Sequence, residues 1–168
     1  MLLAEALAAR KDAVKEIDDL RGRLAAAVLR YEDQDTPVDD PSEVVERLTA
    51  VLDRFESLTV RINHTNNETR LTFDGRDLSV MEAIALRERL ILETKARRSA
   101  VDAVEEATGS GKAGRRGWLG GRRGKDDVRE LPTVEVRAER RVADVLSEAV
   151  RRLDLALQQR NWTTQLRE

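Results

Sequence analysis

The sequence predicts an all-α protein: an elongated antiparallel four-helix bundle or coiled-coil-like arrangement, with a short irregular or hairpin-like excursion between the second and third helices. Three observations carry that prediction. Apolar residues recur at alternating spacings of three and four along four long stretches, which is the period of one helix face. Of the 168 residues 37% are charged and only 3% are aromatic, so the core must be built from Leu, Val, Ile and Ala. That Ala/Leu/Glu/Arg bias is the composition of long helices. Helix-start signals and turn residues fall between the stretches, and the whole reads as one helical domain over 1–168 with a flexible Gly/Arg-rich loop at 109–126.

Composition also excludes several function classes. The 30 basic and 32 acidic residues are interleaved along most of the chain, as on solvated helix faces and unlike a nucleic-acid-binding domain. There is no cysteine, hence no disulfide framework and no thiolate zinc site, and a reducing cytoplasm fits. The opening Met1-Leu2-Leu3-Ala4-Glu5 places a carboxylate where a secretory signal would be apolar. The longest charge-free apolar run is Leu24 to Leu29, against the roughly 20 residues a membrane-spanning helix needs.

The first helix rests on Leu3, Leu7, Val14, Ile17, Leu24 and Val28, with Arg10 and Arg21 interrupting the seam and read as snorkelling past its rim. Thirty helical residues extend about 45 Å, which favours an elongated bundle. Gly22 inside this helix is unfavourable by about 1 kcal/mol relative to Ala, which points to close approach of a second helix. An acidic linker follows from Glu32 through Asp33, Asp35, Asp39 and Asp40 to Glu43, with Pro37 and Pro41 forbidding regular helix between. It is no calcium loop: counted from Asp33, position six is Val38 where Gly is needed and position twelve is Val44 where Glu is needed.

Asp40-Pro41-Ser42-Glu43 starts the second helix, with Asp40 as cap, Pro41 at the first helical position and Glu43 able to accept from the Asp40 amide. Its seam is Val44, Leu48, Val51, Phe55, Leu58 and Ile62, and it is expected to stop at Asn63. From Asn63 to Thr69 no residue is apolar, and Asn and Thr side chains compete with helix for backbone groups. Thr69 to Phe73 then alternates before Asp74-Gly75, which suggests a small hairpin-like excursion or an extended linker. Ser79 with Glu82 forms a capping box for a third helix, which carries Val80, Ile84, Leu86, Leu90, Ile91, Val101 and Val104 and reaches about Thr108. Glu93, Thr94, Lys95, Arg97 and Arg98 leave its middle poor in apolar surface, so it is expected to be the most exposed of the four.

Between Gly109 and Gly124 lie seven of the nine glycines. The Gly111-Lys112 pair does not belong to a phosphate-binding loop, since Glu106 and Ala113 stand where the motif needs Gly and Ser or Thr. Lys112, Arg115, Arg116, Trp118, Arg122 and Arg123 fit an electrostatic nucleic-acid contact, weighed against a plain solvated insertion. After the extended Leu131-Pro132-Thr133-Val134, a fourth helix runs from about Glu135 to Arg160 on Val142, Leu146, Ala149, Leu153 and Ala156, flanked by Val145, Val150 and Leu157. In the closing Asn161-Trp162-Thr163-Thr164, Asn161 suits a left-handed cap and Trp162 is expected to cover the end of the core.

Four stretches in order resemble the septicolysin-like family of small bacterial proteins: Leu3-Ala4-Glu5-Ala6-Leu7, Ile62-Asn63-His64-Thr65-Asn66, Pro132-Thr133-Val134 and Asn161-Trp162-Thr163-Thr164. His64 departs from the Arg or Lys more usual there, and the Gly/Arg loop is longer and more basic. The resemblance implies an all-helical fold and says little of activity. The family name suggests a cytolysin, yet the chain has no hairpin-forming alternation of a large pore former, so the name is a label only.

Up-and-down helices bring the polar stretch, the Leu2-Leu3 start and the tail to one end, where Asn63, His64, Asn66, Asn161, Trp162 and Thr164 form a polar cluster. It reads first as a mutual cap of helix ends and second as a small ligand-binding site. Catalysis is disfavoured by a single His, no cysteine and no carboxylate pair at catalytic spacing. No cofactor or metal is predicted, His64 having only Glu68 and Asp74 near it in sequence. Three functions follow in order: a non-enzymatic, self-associating helical scaffold or adaptor, a nucleic-acid binder through the Gly/Arg loop, and a membrane-surface or cytolysin-like protein. The last is disfavoured because the apolar stripe of Leu2 to Leu29 belongs in the core.

Overall fold

The computed structural model describes residues 1–28, 39–107 and 132–168. Most of the acidic linker and the whole Gly/Arg segment, with Lys112, Arg115, Arg116, Trp118, Arg122 and Arg123, lie outside them. The protein is mostly helical: α1 (Leu3–Ala27), α2 (Pro41–Glu68), α3 (Val80–Ala107) and α4 (Val136–Thr163). It is not purely so, because strands β1 (Arg70–Phe73) and β2 (Arg76–Ser79) form a small antiparallel sheet between α2 and α3. The chain groups into two compact units, Met1–Ala83 with Ala156–Glu168, and Ile84–Leu155.

In the first unit α1 and α2 pack antiparallel. Leu3 and Ala6 meet Leu58, Ile62 and Leu166 at one end, and Ala13 and Leu20 meet Val44 and Val51 at the other. The buried row of α1 differs from the one its hydropathy suggests. Leu3, Ala6, Ala13, Leu20 and Ala27 are buried, whereas Val14 and Val28 are 42% and 61% exposed. Three of the five are alanines at spacings of seven and fourteen, and a small side chain on the contact line lets two helix axes approach while the branched residues of α2 fill the space. Gly22 plays no part in this approach, since a methyl group added there meets nothing within 4 Å. Arg21 pairs with Asp18 of its own helix at 3.2 Å. Cross-links between segments come instead from Arg23, which grips Asp39 through two bonds of 2.7 and 3.0 Å, and from Glu16, which receives Arg47 at 3.0 Å and Arg54 at 2.8 Å.

The α2 seam follows the expected spacing, with Val44, Val51, Leu58 and Ile62 buried and Leu48 and Phe55 packed against them. Asp40 caps the helix by accepting from the Ser42 amide at 2.8 Å with Pro41 at the first position, and Glu43 makes no return bond. The helix does not stop at Asn63. It continues to Glu68 because Thr65 occupies the next position of the same seam, wholly buried, and its hydroxyl donates back to the Arg61 carbonyl at 2.7 Å. The polar stretch is therefore the last part of α2 and not a gap.

The hairpin pairs Leu71 with Leu78 and Phe73 with Arg76 across a two-residue turn. Asp74 at φ 47 and Gly75 at φ 76 are both left-handed, as a type I′ turn requires, and this explains the Asp-Gly pair. Ser79 and Glu82 then close the expected capping box: the Ser79 amide donates to Glu82 at 2.7 Å and the Glu82 amide to the Ser79 hydroxyl at 3.1 Å. These bonds, with Arg70 and Arg76 nearby, hold the Glu82 carboxyl below its usual range.

In the second unit α3 presents Leu90, Thr94, Arg97, Val101 and Val104 at alternating spacings of four and three, while Ile84 and Leu92 point outward at 39% and 60% exposure. Its charged middle is matched by α4. Arg97 reaches Glu139 of α4 at 2.7 Å and Glu93 of its own helix at 3.0 Å, Arg98 donates to Ser147 at 3.0 Å, and Arg87–Asp154 and Arg140–Glu105 complete the series. On the part of α4 in this unit the inward row is Ala143, Leu146, Val150 and Leu153, one residue on from the expected Val142 and Val145, which stay exposed. Because α4 continues to Thr163, Asn161 is helical and caps nothing, and Trp162 stands 65% exposed. The chain turns only after it, so Leu166 closes the core.

Candidate functional site

The end of the first unit is built by three segments. Glu5, one turn into α1, accepts from the Leu2 amide at 2.7 Å and sets the direction of the first residues. They pair antiparallel with the tail: the Leu3 amide donates to the Thr164 carbonyl and the Leu166 amide to the Met1 carbonyl, both at 2.9 Å. This short ladder presses Leu166 onto Leu3, Ala6, Leu58 and Ile62.

The end of α2 then grips the tail from the side. The Arg167 amide donates to the Thr65 hydroxyl at 3.0 Å, and Arg61 Nε donates to the Arg167 carbonyl at 2.9 Å. Glu68 receives the Arg167 guanidinium on one carboxylate oxygen and stands 3.1 Å from His64 Nε2 on the other. Thr65 is the hub, since it uses both its proton and a lone pair while fully buried.

Of the residues expected to cluster, the structure ties in His64 through Glu68 and Thr164 through its backbone. Asn63 and Trp162 are exposed, and no hydrogen bond joins the side chains of Asn63, Asn66, Asn161 and Trp162 to one another. Asn66 is 7% exposed and its Oδ1 has no partner. Thr65, Leu166 and Arg167 lie outside the cluster that the sequence predicts, and Glu68 enters that prediction only as a neighbour of His64. Thr65 carried the available signal, because it continues the α2 seam three residues after Ile62.

The chemistry open to this end is that of a clasp. The Thr65 hydroxyl donates to the Arg61 carbonyl and accepts from the Arg167 amide, and both Glu68 oxygens are engaged. Among the described residues no group of three His, Cys, Asp or Glu side chains could hold a metal ion, and no helix is long and apolar enough to cross a membrane. The second unit has a shallow groove of about 250 Å³ lined by Arg98, Val101, Asp102, Arg140, Ala143 and Asp144. Its two arginines are already turned to Ser147 and Glu105.

Comparison with known proteins agrees with a chain whose architecture is clearer than its chemistry. The profile of a family of unknown function, DUF6847, matches residues 10–166. A similar solved structure is that of a functionally unknown conserved protein from Corynebacterium diphtheriae, with a TM-score of 0.78 and 24% identity over 99% of each chain, a likeness of fold. No curated protein matches. The resemblance to the septicolysin-like family is overturned by the family match, and with it goes the cytolysin label. Three of the four stretches that suggested it have structural roles: Leu3, Glu5 and Ala6 start and bury α1, and Thr65 and Thr164 belong to the clasp.

Proposed function

We propose that this chain, which belongs to the family of unknown function DUF6847, is a non-enzymatic, self-associating helical scaffold or adaptor. The observation that carries the reading is one face of α2. At about 100° per residue, an arc some 80° wide beside its buried row holds Val45, Thr49, Leu52, Glu56, Val60 and Asn63. Val45, Leu52 and Val60 are 45%, 44% and 61% exposed, and Glu56 is the single charge on the arc in a chain that is 37% charged. A solvated helix face normally carries many charges. This one carries a single charge among three exposed apolar side chains, where the next face, with Glu46 and Asp53, is acidic.

Covering what remains exposed of these three side chains on two copies contributes roughly 6 kcal/mol at the usual value for buried aliphatic side chains. That is near the lower estimate of what association loses in rigid-body freedom, so the assembly is expected to be reversible and concentration-dependent. The fixed bonding of Thr65 and Glu68 supports the non-enzymatic part. Light scattering from about 10 to several hundred micromolar tests the proposal. A mass rising from monomer toward dimer, and reverting when Leu52→Glu places a charge on the arc, is expected; a monomeric mass throughout overturns it.

A further inference from the structure

The arc on α2 also carries a direction. Two copies of one helix face can pair parallel, each residue meeting itself, or antiparallel about a two-fold axis. Parallel pairing sets Glu56 against Glu56 of the second copy with no cation on the arc to relieve it, and it aligns the two helix dipoles. An antiparallel register that sets Val45 of one copy against Val60 of the other has neither defect. Glu56 then lies beside the uncharged Thr49, whose hydroxyl now donates to the Val45 carbonyl at 3.0 Å and can turn toward the carboxylate. The two Glu56 carboxylates separate by seven residues, about 10 Å along the axis. Leu52 falls next to the two-fold axis, and the neutral Asn63 meets the neutral Ser42 at each end. One pattern thus becomes self-complementary in apolar contact and in charge.

We infer that the α2 face bearing Val45, Leu52 and Val60 docks onto the same face of a second copy of this chain in an antiparallel, two-fold arrangement. The inference rests on the self-association reading and adds the surface, the partner and the orientation. The sequence supplies a clean test because it has no cysteine, so single substitutions give the only thiols. Val45→Cys and Val60→Cys are both at exposed positions, and circular dichroism confirms that each variant folds.

Under mild oxidation an equimolar mixture is expected to give the mixed disulfide dimer at least tenfold above either variant alone. In the antiparallel register like positions are 15 residues apart, about 22 Å, far beyond the 4.4–6.8 Å Cα separation of a disulfide. Self-cross-linking of each variant without preference for the mixture shows parallel pairing and overturns the inference. No cross-link in a sample that light scattering shows to be dimeric places the contact elsewhere, which overturns the inference and leaves self-association standing. No cross-link in a sample that stays monomeric overturns both.

Discussion

Replacing Thr65 by Val is the sharpest test of the clasp that joins the two chain ends to α2. The substitution keeps the branched shape and the volume, so the fully buried position stays filled, and it removes only the hydroxyl. Two bonds go with it, that to the Arg61 carbonyl at 2.7 Å and that from the Arg167 amide at 3.0 Å. Their losses are unequal. The Arg61 carbonyl keeps its bond within the helix, so the first contributes little. The Arg167 amide is left half-buried without its acceptor, and a net hydrogen bond of that kind contributes about 1 kcal/mol, rising toward 2 where water cannot replace it. The expected loss is therefore about 1–2 kcal/mol, and at about 2–4 °C per kcal/mol for a chain of this size it lowers Tm by roughly 2–8 °C.

Urea unfolding followed by circular dichroism gives the free energy, and hydrogen exchange at the Arg167 amide gives the site. Thr65→Ser is the companion: it keeps the hydroxyl and removes the methyl group, and it should leave the Arg167 amide protected. Wild-type stability of Thr65→Val with the Arg167 amide still protected would refute the clasp. Equal deprotection by Thr65→Ser would assign the effect to packing and not to the hydroxyl.

Three further outcomes follow from the same packing. Gly22→Ala should stabilise the protein by about 0.5–1 kcal/mol, since the added methyl meets nothing within 4 Å and glycine is a poor helix former, and a thermal melt checks it. Leu166→Ala should destabilise by about 2–3 kcal/mol, the lower part of the range for a buried leucine because the site lies at the chain end where the backbone can settle, as read by urea unfolding. Hydrogen bonds from Arg47 and then Arg54 hold Glu16 below its usual value, and one from Arg23 does the same for Asp39. A depressed carboxyl stabilises the fold above its unfolded pKa and loses that contribution as pH falls through its folded one, so stability should decline below roughly pH 4–5. Glu16→Gln should flatten that decline in acid titrations of Tm, and added salt should shrink the Glu16 contribution in the wild-type curve because exposed pairs are screened.

The elements themselves were legible because their signals are local. Asp40-Pro41, Ser79 with Glu82 and Asp74-Gly75 act within four residues of chain, and each forms the cap or turn its chemistry predicts. The α2 seam was legible for the same reason, its branched residues standing out against a charged background. The functional reading could go no further than a family of unknown function, because no motif in the chain commits a set of residues to one reaction.

What the sequence determined by itself was the number and order of the helices, the caps that start α2 and α3, and the position of the hairpin. What only the tertiary structure decided was which face of each helix turns inward. On α1 the buried row is Ala6, Ala13 and Ala27 rather than Val14 and Val28, and on α4 it is Ala143 rather than Val142. Hydropathy ranks valine above alanine, but the contact line between two helices selects the residue that lets their axes approach, a property of the pair and not of either strand of sequence. The end of α2 was settled in the same way. Asn63 to Thr69 reads as a break until Thr65 is placed beside a tail 102 residues away, whose Arg167 amide donates to the hydroxyl that a lone helix would leave to water.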